Sequence, residues 1–307
     1  SDIKSLKKAS RQNVGPEILG RINQIIKTKN IELRKDLKLY WNNFPIAYLS
    51  KGNDYLKPEI TVIVDDVIET DDKNKLQNFL KKWLNGKIHR ELDGLIELKD
   101  IKSHNSSTRA LSYMLYENNG VLKRDNIGKL LSEIDQKERK ILRDHGVKFG
   151  RYHVFLHKLF KPNIVSLRLI LWKNYNEKNY NLEPPTFGLN FLNDKKFTDK
   201  NFMLLCGFEK FDGYFVRIDI LERLFIEIIS SESFKNNKIK LVPEMLNLLG
   251  CSKDKFKKLL QKMNYKIYEK GDEIYFKYIP NKKFKKSNTK KISDKNPFQV
   301  LKNLNLR

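Results

Sequence analysis

Apolar residues recur along this chain at two spacings, and each change of spacing marks an element. Ile18, Ile22, Ile25 and Ile26 keep a helical repeat and predict a helix from about Ser5 to Lys29, interrupted near Gly15-Pro16. Residues 31–39 and 44–49 read as two strands joined by a turn at Trp41-Asn42-Asn43, with Pro45 confining the second to a sheet edge. Another extended run follows Pro58, and Asp71 or Asp72 caps a helix whose apolar side is Leu76, Phe79, Leu80 and Leu84. Residues 102–144 are mostly helical. Ala110, Leu111, Met114 and Leu115 form one stripe closed by Asn118-Asn119-Gly120, and shorter helices cover about 124–131 and 136–144.

At Gly146 the pattern turns extended again. Gly146 to Leu156 reads as a short strand punctuated by Gly146 and Gly150, which permit backbone angles or close approaches that other residues resist. Pro162 then opens a helix to about Tyr175. Val147, Phe149 and Val154 suit a core, whereas Lys148, Arg151, Tyr152, His153, Lys158 and Lys161 gather charge and stacking surface that suit a polyanion with flat bases. A core strand leaving a tight turn accounts for the same residues. The two readings share one strand on different faces. Residues 181–193, with Pro184-Pro185 and Gly188, read as a linker or covering loop.

The last third predicts a helix over 215–229, a second over 242–249 and a third starting at Ser252, then a hairpin turning at Gly271-Asp272. Three helices and a hairpin in that order outline a winged helix. On the third helix Lys255, Lys258 and Lys262 can lie against phosphate, but few side chains suited to reading bases accompany them. Lysines that merely solvate a protein-docking module account for the same pattern equally well. On the first helix, Asp219 and Arg223 stand four apart as a solvated or inter-domain ion pair; the functional alternative has Arg217 and Arg223 facing phosphate. The expected fold class is therefore α+β and mostly helical. It comprises a small β-containing unit (1–100), a helical middle with the glycine-punctuated strand (101–195), a winged-helix-like domain (196–281) and a basic disordered tail (282–307).

Charge changes the picture more than composition does. Sixty-one Lys and Arg stand against 37 Asp and Glu, a formal net charge of +24, which favours nucleic acid first among acidic partners. The dominance of lysine over arginine matches an AT-rich coding bias, so part of this charge needs no partner. Only Cys206 and Cys251 occur, too few and too far apart for a redox pair or a cysteine-rich zinc site, and a reduced, cytoplasmic setting is expected. No apolar run reaches membrane-span length, so no membrane partner is expected. The chain starts at Ser1 without a methionine, as a fragment or processed product would. No phosphate loop, HExxH, GxSxG or paired base and nucleophile is present, so neither a catalytic residue, a metal site nor a cofactor is assigned. His153 and His157, four apart in an extended run, do not share a helical face.

Several stretches nevertheless resemble one family. The segment from Gly146-Val147-Lys148-Phe149-Gly150 to Leu159-Phe160-Lys161-Pro162, then Leu171-Trp172, is similar to the region behind the motor of large DExH superfamily-2 helicases of alphaproteobacteria. These helicases are relatives of the mitochondrial RNA degradosome helicase. Val216 to Leu224, Met245 to Ser252, Asn296-Pro297-Phe298 and the surroundings of Gly52 and Pro58 extend the likeness over most of the chain. The resemblance implies an accessory part of an ATP-dependent helicase. ATP and magnesium would belong to upstream motor domains that this chain lacks, and its partners would be those domains and RNA or single-stranded DNA. A module docking a nuclease or the ribosome is the alternative. Family members labelled disulfide oxidoreductases find no chemical counterpart here, since no CxxC is present.

Overall fold

A computed structural model describes residues 17, 19–63, 70–177, 183–194, 199–211, 213–230 and 238–279. The lysine-rich stretch after 282 and its Asn296-Pro297-Phe298 island lie outside them. The chain is α+β and forms two compact units, one of residues 1–229 with 247–250 and one of 230–246 with 251 onward.

In the first unit, helix α1 over residues 19–28 leads into β1 (Ile31–Leu33), β2 (Lys38–Trp41), β3 (Phe44–Asp54) and β4 (Lys57–Val62), an antiparallel sheet in sequence order. Asn42 and Asn43 make the tight turn between β2 and β3 with φ of 45° and 66°, a conformation asparagine tolerates better than most residues. Pro45 does not make β3 an edge. The strand is central, but β4 pairs with it only from Ala47 onward, so the missing N–H of Pro45 costs the β3–β4 ladder nothing.

Helix α2 (Thr70–Glu97) packs Leu76, Leu80, Leu84, Ile88 and Leu92 against this sheet, and bends at Leu92. Helix α3 (Ser106–Glu117) starts at Asn105, whose side chain accepts the Thr108 N–H as an N-cap. Next come β5 (Val121–Lys123), α4 (Gly128–Ser132), α5 (Gln136–Asp144), β6 (Val147–Phe149), β7 (His153–Leu156) and α6 (Pro162–Asn176). The expected single glycine-punctuated strand is thus two strands joined at residues 150–152. Between β5 and β6, β7 is the central strand of a three-stranded sheet. The sequence pattern gave no sign of β5, because three residues are too few to display a period.

The unit closes with β8 (Phe191–Asn193), α7 (Lys200–Leu205), β9 (Phe208–Phe211), β10 (Tyr214–Arg217) and α8 (Ile218–Ser230), in which β10 lies between β8 and β9. One apolar core runs from Ile22 to Ile218 without a break at residue 100, and the β8–β10 pairing bridges the expected boundary at 195. Residues 214–217 are strand, so the helix expected from Phe215 starts at Ile218.

Arg168 of α6 is fully buried in this unit. Its guanidinium donates to the carbonyls of Asn119 (2.7 Å), Leu205 (3.2 Å) and Leu159 (3.3 Å), which end α3, α7 and the 3-10 turn before α6. A cation among carbonyls at two helix C-termini offsets their partial negative charge.

The second unit contains β11 (Ile239–Lys240), most of α9 (Pro243–Leu249), α10 (Lys253–Lys262), β12 (Tyr265–Lys270) and β13 (Glu273–Tyr278). β13 is central, flanked by β11 and β12. Phe276 stands edge-on to both Phe256 and Tyr265, with ring centroids 6.3 and 5.6 Å apart, anchoring α10 to the sheet.

Candidate nucleic-acid interface

The turn joining β6 to β7 is built around one carboxylate. Glu222, on the buried side of α8 and 2% exposed, accepts the backbone N–H groups of Arg151, Tyr152 (2.9 Å) and His153 (2.7 Å). Its Oε1 also lies 2.9 Å from His153 Nδ1. Successive N–H groups converging in this way form an anion cradle. Here the cradle is filled from within, so it is not open to phosphate. Gly150 is required by space: a Cβ there would lie 2.5 Å from Glu222 Cδ. Gly146 is required by conformation, with φ of +85° and open space around it.

His153 is 2% exposed, between Glu222 and Glu209, whose Oε2 is 3.5 Å from its Nε2. Burial opposes a charge on the ring, but the hydrogen bonds to Glu209 and Glu222 outweigh it and hold the imidazole pKa above its ordinary value. Burial likewise opposes charge on Glu209, yet His153 and Lys123, 2.5 Å away, hold its carboxyl below the usual range. His153 is thus buried between two carboxylates and cannot touch a nucleic acid, contrary to its place among the expected contacts. Tyr152 is half-buried and turns its ring edge-on to Phe225 of α8, 4.8 Å between centroids, which occupies part of the stacking surface expected of it.

The remaining cations lie in different surroundings. Lys158 donates to Asp93 at 2.6 Å and lines a cleft with Glu91, Asp93, Glu97 and Asp144, surroundings that repel phosphate. Lys148 and Lys161 are exposed and act, with Arg217, on the His157 ring. Burial, then Lys148, Arg217 and Lys161, push the His157 pKa down, and only Asp219 opposes them. Asp219 holds Arg217 through two hydrogen bonds of 2.9 Å and lies 3.9 Å from His157 Nδ1. Three cations thus act on one half-exposed imidazole, opposed by a single carboxylate. That excess of positive potential suits an anion.

His157 joins this cluster although nothing in its spacing singled it out. Four residues of β7 and a 3-10 turn bring it beside Lys161. Asp219 does not pair with Arg223 as its spacing suggested; it pairs with Arg217, and Arg223 with Glu227 at 3.0 Å. Arg151 is exposed beside the Glu222 cradle. Lys255, Lys258 and Lys262 are exposed on one side of α10 in the second unit, opposite the buried Phe256, Leu259 and Leu260.

Other chemistry is sparse. Burial pushes the Cys206 thiol up to about 12 and the Cys251 thiol up to about 11, so neither is a ready nucleophile. Among the described residues no cluster has the makings of a metal site, and no helix is long and apolar enough to cross a membrane. No family model, curated protein or solved structure matches this chain.

Proposed function

We propose that this chain is a nucleic-acid-binding accessory region of an ATP-dependent helicase, working beside motor domains that would supply the ATP and magnesium chemistry. The observation that carries this reading is the cation cluster of Lys148, His157, Lys161 and Arg217, set against a single opposing carboxylate. Lys148 and Lys161 are the primary phosphate contacts, because Asp219 occupies much of the Arg217 fork. The second unit adds non-specific affinity. The order β11, α9, α10, β12, β13, with β11 paired to β13, supports reading it as winged-helix-like, with α10 presenting Lys255, Lys258 and Lys262. With few base-reading side chains on α10, binding is weakly sequence-specific. The protein-docking alternative draws on isolated apolar side chains such as Ile226, 60% exposed, which are ordinary on protein surfaces.

Fluorescence anisotropy with labelled single-stranded RNA and DNA across a salt series tests the reading. Affinity should fall steeply as salt rises. The double variant Lys148→Glu with Lys161→Glu should reduce the logarithmic salt slope by about 1.4, two phosphate contacts' worth for a single strand. Absence of binding at low salt, or binding indifferent to the double charge reversal, would overturn it.

A further inference from the structure

Away from the cation cluster, the first unit has a cleft of about 380 Å³ between the β3–β4 turn, the end of α3 and the end of α6. Its size falls within the roughly 300–1,000 Å³ of small-ligand sites. Tyr116, Trp172 and Tyr175 line it beside the polar side chains of Glu117, Asn119 and Asn176. On one wall stands Asp54, with 23% of its side-chain surface exposed. The carboxylate is fixed by the Leu56 N–H at 3.0 Å and the Tyr116 hydroxyl at 2.9 Å. Burial alone would raise its pKa, but these two donors and Lys99 hold it lowered. Asp54 is therefore ionised at neutral pH and can only accept hydrogen bonds. Two lone pairs per oxygen leave capacity beyond the internal bonds.

The charges around the cleft narrow the ligand. Lys99 lies 3.5 Å from Asp54 and 5.0 Å from the centre of the Tyr116 ring, and Lys51 stands 5.6 Å from the centre of the Tyr175 ring. These ammonium groups stand over the Tyr116 and Tyr175 rings and Lys99 balances Asp54, while Glu117 adds a second carboxylate to the lining, so a ligand that brings hydrogen-bond donors is favoured. What fits is a neutral planar ring carrying adjacent N–H donors on one edge. Among the nucleobases only guanine presents two neighbouring donors, N1–H and the N2 amine. Adenine and cytosine set a ring-nitrogen acceptor beside their amine, and uracil flanks its single N–H with carbonyl oxygens.

We propose that this cleft holds an unpaired guanine base, with Asp54 accepting from its N1–H and N2–H₂ edge and its ring lying beside Tyr175. Recognition of splayed-out bases by stacking and by their pairing edge is how single-stranded nucleic acid is read. The site gives the chain a base preference that the cation cluster, which meets only phosphate, does not provide. It rests on the nucleic-acid reading for the source of the base, but its test does not.

The test titrates the full chain with guanosine, inosine and adenosine 5′-monophosphates by isothermal calorimetry. GMP should bind about tenfold or more tighter than AMP, as charge-assisted hydrogen bonds warrant, with IMP between them because it keeps N1–H and lacks the amine. Asp54→Asn should remove the preference while leaving AMP binding unchanged, and Tyr175→Ala should weaken both nucleotides alike. Equal affinities for GMP and AMP, no binding at several millimolar GMP, or a folded Asp54→Asn variant that keeps the preference would each overturn the proposal. Should Asp54→Asn fail to fold, the three-nucleotide comparison on the unaltered chain still decides. The Lys148→Glu with Lys161→Glu variant should retain GMP binding while losing oligonucleotide affinity, so the two readings can fail separately.

Discussion

Replacing Gly150 with alanine tests the internal anion cradle directly. The added methyl would come within 2.5 Å of Glu222 Cδ and 3.0 Å of Cγ, so the buried carboxylate must leave its place. Leaving costs it three backbone donors and its contact with His153. A hydrogen bond to a charged group contributes about 1.5–3 kcal/mol, and breaking a buried ionic arrangement costs roughly 3–5 kcal/mol overall. Gly150→Ala should therefore destabilise the first unit by about 3–5 kcal/mol. Gly146→Ala is the control. Nothing lies within 4 Å of its added methyl, so only the strain of φ +85° counts, on the order of 1–2 kcal/mol.

Urea unfolding followed by tryptophan fluorescence isolates the relevant unit, since Trp41, Trp83 and Trp172 all belong to it. The decisive measurement is a double-mutant cycle. In a Glu222→Ala background the atoms that Gly150→Ala would strike are gone, so the same substitution should cost under about 1 kcal/mol, giving a coupling of some 2–4 kcal/mol. Gly146→Ala should instead add to Glu222→Ala without coupling. A Gly150→Ala protein that is nearly as stable as the unaltered chain, or a cost that survives intact in the Glu222→Ala background, would refute the reasoning.

The other perturbations follow from the same geometry. The folded-state pKa of His153 is raised above 6.5, so its contribution is complete below pH 6.5 and lost as pH rises through the raised value. That of Glu209 is depressed below 4.5, so its contribution is complete above pH 4.5 and lost as pH falls through the depressed value. The stability gap between the unaltered chain and His153→Asn, about 3 kcal/mol for a broken buried pair, should thus be widest between roughly pH 4.5 and 6.5 in urea unfolding. Arg168→Met leaves the carbonyls of Asn119, Leu159 and Leu205 without their donor and should cost about 3 kcal/mol, visible as a lower unfolding midpoint. Lys158→Ala should leave oligonucleotide affinity within about twofold in the anisotropy assay, since Asp93 already pairs with this lysine and exposed pairs contribute little.

Much of the fold was legible because long elements repeat their signals. The helices α5, α6, α9 and α10 stand close to where apolar spacing and Pro or Gly punctuation put them, and the Asn42-Asn43 and Gly271-Asp272 turns carry the residues such turns demand. What failed was pairing. β5 and β11 span three and two residues, below any detectable period, yet each completes a three-stranded sheet. The domain boundaries at 100 and 195 failed for a related reason. A shift in local pattern says nothing about which distant side chains share a core, and Leu39, Leu92, Leu142 and Leu171 share one here.

The candidate interface was half legible, and the missing half had a signal that charge-pair counting hides. Asp219, Glu222 and Arg223 read as ordinary charges on an amphipathic helix. Yet Ile218, Glu222 and Phe225 lie at i, i+4 and i+7, on one face of α8, and Ile218 and Phe225 are wholly buried. A carboxylate on the apolar face of a helix must find donors or pay for its desolvation. The donors that can satisfy it without bringing another bulky side chain are backbone N–H groups beside a residue with no Cβ, and Gly150 is such a residue. The two stretches that looked most distinctive in sequence, around Gly146–Pro162 and Val216–Leu224, are therefore complementary halves of one arrangement. One half supplies the carboxylates and the other the turn they hold. Because Asp219 and Glu222 stand three residues apart on α8, the side chain that aligns Arg217 and the one that shapes the 150–153 turn are fixed by the same helix. Loosening that helix at Glu222 should then disturb the cation cluster as well as the fold.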